Sequence, residues 1–303
     1  MAAINTGSFA KALWPGVNAW YGMAYKEFPV QWDKLFDKHS SRKNFEEDVG
    51  SSGLGLARVK AEGGSIEYDE MRQAFITRYT HIVYGLGFIV TREAFEDDLY
   101  DVVGQKKAKA LAKSMRATKE TVGANVYNRA FNTSYTGGDG SVLCVTTHAN
   151  FAGGTWSNTL TTAADLSEAA LEQAIIDIGA WTDDRGIKSI FSAKTLIIPK
   201  ELEFEAARIL KNVDRPGTAE RDINALVKLN KIPGGMIVSQ YLTDVDAWFL
   251  RTDADHGMKM FERRGDEFAM DNDFDTENAK FKATARYSFG WSDPRGLYGV
   301  AGA

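Results

Sequence analysis

The sequence predicts an α+β fold, and three long stretches with different periodicities carry this prediction. Apolar and polar residues alternate over Ala279–Trp291, which is typical of a half-buried β-strand. Residues 91–131 lack proline and repeat apolar residues at helical spacing. Residues 51–90 are rich in glycine and strand formers, which favours an extended β-hairpin. The strand would be ~43 Å long at about 3.3 Å per residue, whereas average strands have about five or six residues.

The composition is that of an ordinary globular protein. The chain has 303 residues, of which 44% are hydrophobic and 25% charged. Its net charge of −5 argues against a protein that wraps nucleic acid, because phosphate binding requires a basic surface. Cys144 is the single cysteine, so an intrachain disulfide is excluded. The sequence shows neither a signal peptide nor a long apolar run, and we expect a soluble protein made in a cytosol.

Residues 1–50 contain many aromatic side chains without sustained periodicity. Pro15 and Pro29 are expected to break any long helix in this segment. Aromatic residues on a segment that cannot build its own core suggest an arm that docks on another molecule. The alternative, an extension packed on its own domain, is equally open.

Two strands are predicted within the hairpin. The first is SIEYDE, residues 65–70, and the second is the longer QAFITRYTHIVYGLGFIV, residues 73–90. The polar, glycine-rich lead-in predicts a mobile segment and an exposed hairpin tip.

The helix predicted for residues 91–131 begins with acidic residues and continues with basic ones, which suits the helix dipole. We expect the basic side chains to form a solvated face or a contact with a neighbouring subunit; they are Lys106, Lys107, Lys109, Lys113, Arg116 and Lys119. Gly104 and Gly123 are candidate bends. The expected apolar stripe comprises Phe95, Leu99, Val102, Val103, Ala110, Met115, Val122 and Val126.

A mixed α/β region follows a loop-rich stretch over residues 132–165. Ser167 is the expected N-cap of a helix, with Leu166 and Leu171 at the positions of a hydrophobic staple. TLIIP (Thr195–Pro199) reads as a buried strand. A second helix, a polar loop and two further strands follow; they are residues 201–212, 214–224, 234–242 and 247–251. GMKMFERR then leads toward the final strand.

The sequence contains no convincing catalytic motif. Cys144 and His148 could form a nucleophile and base, or two metal ligands. The alternative is a buried thiol beside a histidine that satisfies a loop, and this interpretation is favoured.

Two loops superficially suggest ligand sites. DNDFDTEN, residues 271–278, departs from a calcium loop because Thr276 and Lys282 stand where glycine and glutamate are required. An acidic turn is expected there, with a weak surface cation site left open. GGDGS, residues 137–141, is expected to be a plain loop rather than an anion cradle. The sequence therefore predicts no catalytic, cofactor-binding or metal-binding residue.

The order of these parts resembles the tailed-bacteriophage major capsid protein, whose fold is shared with encapsulins and the herpesvirus capsid floor. An arm, a hairpin, a long helix, an α/β region and a long returning strand follow one another over nearly the whole chain. The local stretches that carry the resemblance are TTHANF (146–151), TLIIPKELEFEAARIL (195–210), VDAWFL (245–250) and KFKATARYSFGWSDPRGLYG (280–299).

The resemblance implies a division of the chain into named parts. The hairpin, or E-loop, would lie over the adjacent subunit, and the final strand would lie along the spine helix. The implied parts are the N-terminal arm (1–50), the E-loop (51–90), the peripheral domain with its spine helix (91–151), the axial domain (152–255), the return to the peripheral domain (256–292) and the closing segment (293–303).

The implied function is that of a major capsid protein, not an enzyme and without cofactors. Copies would assemble as pentamers and hexamers into the icosahedral head shell, which encloses double-stranded DNA without sequence-specific binding. The expected location is the virion, with assembly in the host bacterial cytoplasm and no membrane involvement. The expected partners are a separate scaffolding protein and a portal, with a decoration protein left open.

Two alternative functions and the absence of a crosslink complete this interpretation. An encapsulin-like nanocompartment shell is the first alternative function. An unrecognised enzyme centred on Cys144 and His148 is the second. Some relatives crosslink a lysine to an asparagine between subunits, but the surroundings of Lys60 do not match that chemistry, and we predict no crosslink.

Overall fold

Two four-stranded sheets and one long helix organise the described part of the chain. The computed structural model describes residues 10–91, 93, 100–151, 153–212, 223–255, 257–272 and 278–303. The α-helices are Ala10–Glu27, Trp32–Leu35, Tyr100–Asn128 (the long helix), Glu168–Ala180, Glu203–Lys211 and Ala225–Lys228, with 3₁₀ turns at Lys200–Leu202 and Pro294–Gly296. The strands are β1 (Asp37–Ser40), β2 (Phe45–Ser51), β3 (Gln73–Thr80), β4 (Ile82–Val90), β5 (His148–Ala149), β6 (Thr155–Trp156), β7 (Ala193–Pro199), β8 (Met236–Ser239), β9 (Trp248–Thr252), β10 (Met258–Asn272), β11 (Ala279–Trp291) and β12 (Leu297–Val300).

The predicted final strand is confirmed, with the predicted bounds. β11 lies between β10 and β4 in the first sheet, whose order is β1-β10-β11-β4, and pairs antiparallel with both neighbours. Its buried side chains pack on the long helix, in clusters that include Ala108, Leu111 and Met115. The strand is long because it follows the helix. The buried side chains of β11 are Phe281, Ala283, Ala285 and Tyr287.

β10 is the element that the sequence did not reveal. It has 15 residues, although only a short lead-in was expected there. Its register against β11 shifts between Glu262 and Arg264 and again between Arg264 and Glu267. Such bulges interrupt the alternation of apolar and polar residues by which a strand is recognised.

The long helix begins, within the described residues, at Tyr100 and ends at Asn128. Residues 92 and 94–99 of the predicted helix lie outside the described residues. Ala110, assigned to the apolar stripe, is exposed, whereas Leu111 and Ala112 are buried. The predicted period was correct, and its phase at this point was wrong by one residue.

The basic stretch of the long helix divides into two sets. Lys106, Lys107, Lys109 and Lys113 are exposed, as expected of a solvated face. Arg116 and Lys119 are buried, so the expectation was wrong for these two. Lys119 donates to Glu262 Oε1 at 2.9 Å and lies 4.7 Å from the ring centre of Trp32. An ion pair and an aromatic face replace the water that a buried ammonium loses.

The N-terminal segment forms a helix despite Pro15. Residues Ala10–Glu27 are helical, so the expectation that Pro15 would break a long helix was wrong. Tyr21 and Ala24 are buried against the subunit's own core, and this packing stabilises the helix. Trp32 joins the same cluster. The described part of the segment therefore packs on its own domain, the alternative left open above, and residues 1–9 lie outside the described residues.

The hairpin exists, but its strands are paired differently from the prediction. β3 pairs antiparallel with β2, and SIEYDE, the expected partner, is not a strand. The run over residues 73–90 is two strands, which separate at His81. The buried His81 ring bonds to Ser41 and Ser288, and its backbone N–H donates to Asn44 O. The chain passes from one sheet to another at this histidine: β3 pairs with β2, whereas β4 pairs with β11.

The second sheet has the order β12-β9-β7-β8 and forms the α/β region. Ser167 caps the helix Glu168–Ala180 as predicted, since its hydroxyl accepts from Ala170 N at 3.2 Å. Leu166 and Leu171 are both buried in the core of this region. The strands expected at TLIIP, GGMIVSQYL and AWFLR are confirmed as β7, β8 and β9. Most of the predicted polar loop, namely residues 214–222 of 214–224, lies outside the described residues.

Candidate functional site: an exposed hairpin and a closed Cys144 region

Cys144 is buried and packs in the main hydrophobic core. Burial raises the pKa of the thiol far above its ordinary value, because a thiolate would lose its hydration. A reactive cysteine requires the opposite, a lowered pKa and access to substrate. Cys144 is therefore an inert core residue.

His148 is also buried, and both of its ring nitrogens have partners other than Cys144. Nδ1 lies 2.7 Å from Asp139 Oδ2, and Nε2 lies 3.1 Å from Asn158 Oδ1. The ring stacks on Trp156 with centroids 4.7 Å apart. Both ring nitrogens are therefore engaged by the loop, and neither is hydrogen-bonded to Cys144. This geometry favours the interpretation of a buried thiol beside a histidine that satisfies a loop.

Asn158 explains why this loop region is closed. Its amide nitrogen donates to Leu143 O at 2.7 Å and to Leu297 O at 3.1 Å, while its side-chain oxygen accepts from Val145 N at 3.0 Å. The side chain therefore joins the loop after the long helix to the closing segment. Sequence reasoning missed Asn158 and Asp139, because an asparagine and an aspartate in a polar loop give no local signal of burial.

A cleft of about 220 Å³ beside β2 is lined by several aspartates. Asp48 bonds to Lys259, Asp184 pairs with Arg295 at 3.4 Å, and Asp139 serves the buried histidine. These three carboxylates therefore serve contacts within the subunit. Among the described residues, no group of three or more His, Cys, Asp or Glu side chains could hold a metal ion. The predicted acidic turn falls largely on residues 273–277, outside the described part.

The hairpin tip, residues 52–72, is where exposed apolar side chains concentrate. Val59 is fully exposed and Leu56 is 77% exposed. Contiguous exposed apolar side chains are typical of surfaces that contact another molecule, which makes the tip a candidate contact surface. The exposed apolar side chains of the tip are Leu54, Leu56, Val59, Ile66, Tyr68 and Met71.

Strand β4 offers a second exposed apolar surface. It stands at the edge of the first sheet within the described residues, so one side of its backbone is without a strand partner there. Its exposed side chains are Ile82, Val83, Leu86 and Ile89. The hairpin tip and β4 are therefore the candidate assembly surfaces.

No described helix is long and apolar enough to cross a membrane.

The sequence profile of the phage capsid protein family matches residues 75–300. This range covers well over half of the chain. The chain belongs to the phage capsid protein family. The match begins within β3 and includes the long helix, the second sheet, strands β4, β10 and β11 of the first sheet, and most of the closing segment. The curated proteins contain no match to this capsid protein.

Solved structures share the fold of this capsid protein over almost its whole length. The virus-like particle from Pyrococcus furiosus matches with a TM-score of 0.54 and 11% identity, covering 94% of this chain and 98% of that chain. The procapsid of bacteriophage JBD30 matches with 0.55 and 12% identity, covering 98% and 76%. Mycobacterium phage Che8 matches with 0.53 and 14% identity, covering 91% and 93%. The predicted α+β capsid fold is confirmed, and the protein is a structural capsid component.

Proposed function

We propose that this protein is the major capsid protein of a tailed phage, whose copies form the icosahedral head shell around double-stranded DNA. The observation that supports the proposal is the hairpin tip, whose apolar side chains are exposed in the part of the subunit that the structure describes. A shell lattice supplies cover for such side chains, because each copy contacts several identical neighbours. Pentamers and hexamers are the expected units of that lattice.

The parts of the chain receive roles in this proposal. The hairpin tip lies over the adjacent subunit, and the long helix with β11 forms the rigid length of each tile. The proposed bounds stay those of the sequence prediction: arm 1–50, E-loop 51–90, peripheral domain 91–151 and 256–292, axial domain 152–255 and closing segment 293–303.

The proposed partners are other copies of the chain, a separate scaffolding protein and a portal, with a decoration protein as a further candidate. The net charge of −5 supports a wall that encloses DNA without gripping it. The proposed location is the virion capsid, assembled in the host bacterial cytoplasm. We propose no enzymatic activity and no crosslink at Lys60, and the inert Cys144 region supports the first of these.

An encapsulin-like nanocompartment remains the second candidate. It is favoured by one observation, the match to the virus-like particle from Pyrococcus furiosus over 98% of that chain. The two candidates share a shell and differ in what the shell contains. A phage head encloses DNA, and a nanocompartment encloses protein cargo.

Electron microscopy of the chain expressed together with its neighbouring genes tests the proposal. Closed shells tens of nanometres across are the expected result, and an icosahedral reconstruction would place the hairpin tip on an adjacent copy. Nuclease-protected DNA in particles from infected cells distinguishes a phage head from a nanocompartment. Small discrete oligomers, with a scaffolding protein present, would contradict both candidates.

A further inference from the structure

A tight turn in the α/β region presents one arginine to the hairpin. Asp183 Oδ1 accepts from the backbone N–H groups of Arg185 and Ile187, each at 2.9 Å. Gly186 completes the turn with φ +78°, a conformation that suits glycine. The neighbouring Asp184 pairs with Arg295 of the closing segment. The turn is therefore held from within and from behind, and Arg185 projects from a fixed base.

Arg185 bonds to both legs of the hairpin. Its Nε donates to Gly53 O at 3.1 Å on the outgoing leg. Its terminal nitrogen donates to Asp69 Oδ1 at 3.1 Å and to Glu70 O at 2.9 Å on the returning leg. Three acceptors on two segments suit the planar fork of a guanidinium, which a lysine cannot reproduce. The arginine therefore crosslinks the legs to each other and to the α/β region.

Little else fixes the direction of the hairpin tip. β2 and β3 end their pairing at Ser51 and Gln73. Beyond that point, Ser52 and Arg72 exchange hydrogen bonds and Gly55 N donates to Asp69 Oδ2, all within the hairpin. In the described part of the chain, the hydrogen bonds that join residues 53–72 to any other element all come from Arg185.

Asp69 is prepared for this contact. The backbone N–H groups of Gly55 and Glu70, followed by Arg185, hold the pKa of its carboxyl below the ordinary value. The side chain is thus an anion at neutral pH. The Arg185 side chain is 26% exposed and that of Asp69 is 45% exposed, so water screens part of their attraction. A charge-assisted hydrogen bond of this kind is stronger than one between neutral groups.

We propose that Arg185 is a positioning residue for assembly: it latches the hairpin to its own subunit and thereby sets the direction in which the apolar tip meets a second copy. The proposal rests on the proposed shell function for the second copy, but the latch itself belongs to the single subunit. Without the latch, the tip would sample many directions, and ordering it would oppose each intersubunit contact.

Hydrogen exchange of the unassembled full chain tests the latch directly. Arg185→Ala removes all three hydrogen bonds from Arg185 to the hairpin. We therefore expect the hydrogen-bonded amides within residues 53–72 to exchange about tenfold faster. Arg185→Lys should show a smaller increase. Arg78→Ala is the matched control, because Arg78 pairs with Glu47 at 2.6 Å inside the hairpin and does not contact the turn. Unchanged exchange in Arg185→Ala would overturn the proposal.

Assembly with the neighbouring genes gives the second readout. Arg185→Ala should keep the wild-type thermal midpoint and yield several-fold fewer closed shells, with Arg185→Lys between the two. Faster exchange combined with wild-type shell yield would overturn the positioning role. Absence of shells from the wild-type chain would instead count against the proposed function, and the exchange experiment would still decide the latch.

Discussion

β11 and the hairpin tip are both rich in apolar residues, which are buried on one face of β11 and exposed in the tip. In β11, Phe281 and Tyr287 are 2% exposed and pack on the long helix of the same subunit. In the tip, Val59 and Tyr68 are almost fully exposed. The first region stabilises the subunit, whereas in the proposed shell the second would contribute to stability once another copy covers it. Apolar residues alone therefore do not identify the core of an assembling protein.

The sharpest test of this contrast replaces the same residue type in both regions. Tyr287→Ala should lower the free energy of unfolding of the unassembled subunit by about 3–5 kcal/mol, since it empties a fully packed aromatic site. Tyr68→Ala, at a position 95% exposed, should change it by no more than about 0.5 kcal/mol. Urea unfolding measures both. Equal losses for the two variants would refute the contrast.

The basic side chains of the long helix allow a similar comparison at a smaller scale. Lys119→Ala removes a buried cation and leaves Glu262 with only Lys38, so we expect a loss of about 2–3 kcal/mol. Lys113→Ala, on the exposed face, should have little effect. Chemical denaturation of the two variants checks this, and a destabilised Lys113→Ala would contradict the division of the helix into two faces.

Acid should weaken the same ion pair. Burial raises the pKa of Glu262, but hydrogen bonds from Lys38 and Lys119 outweigh it, and the net pKa lies below the ordinary value. The carboxylate therefore contributes its full stability above the ordinary pKa, and this contribution is lost as the pH falls toward the lowered pKa. The free energy of unfolding, measured from pH 6 to pH 3, should fall less steeply in Glu262→Gln. Identical pH profiles would exclude this pair as a source of acid sensitivity.

The smallest effect on the subunit should come from the tip itself. The double variant Leu56→Ser, Val59→Ser should leave the free energy of unfolding within about 0.5 kcal/mol of wild type. Shell formation should nevertheless fall strongly, as electron microscopy and sedimentation would measure. Wild-type shell yield from this variant would remove the tip from the assembly surfaces.

Local signals predicted β11 and the Ser167 cap, because alternation and capping are written within a few neighbouring residues. β10 was missed because two bulges break its pattern, and the partner of β3 was misassigned because strand pairing depends on distant residues. Pro15 misled the prediction since tertiary packing overrode a local penalty. The contacts of His148 with Asp139 and Asn158 were not predicted, because polar residues in a loop give no local signal of burial. The role proposed for Arg185 was not predicted either, because its three acceptors lie on the hairpin, far from Arg185 in the sequence.

The pairing of β1 with β10 has a consequence for the order of events during synthesis. Asp37 of β1 pairs with Lys259 of β10, although more than 200 residues separate them. Strand β11, which pairs with β10, is synthesised later still. Contacts between such distant segments form slowly and only after the whole chain is made. A chain released early from the ribosome would lack the sheet on which the hairpin is mounted. Incomplete products would thus be unable to complete the first sheet and could not present the hairpin to the proposed shell.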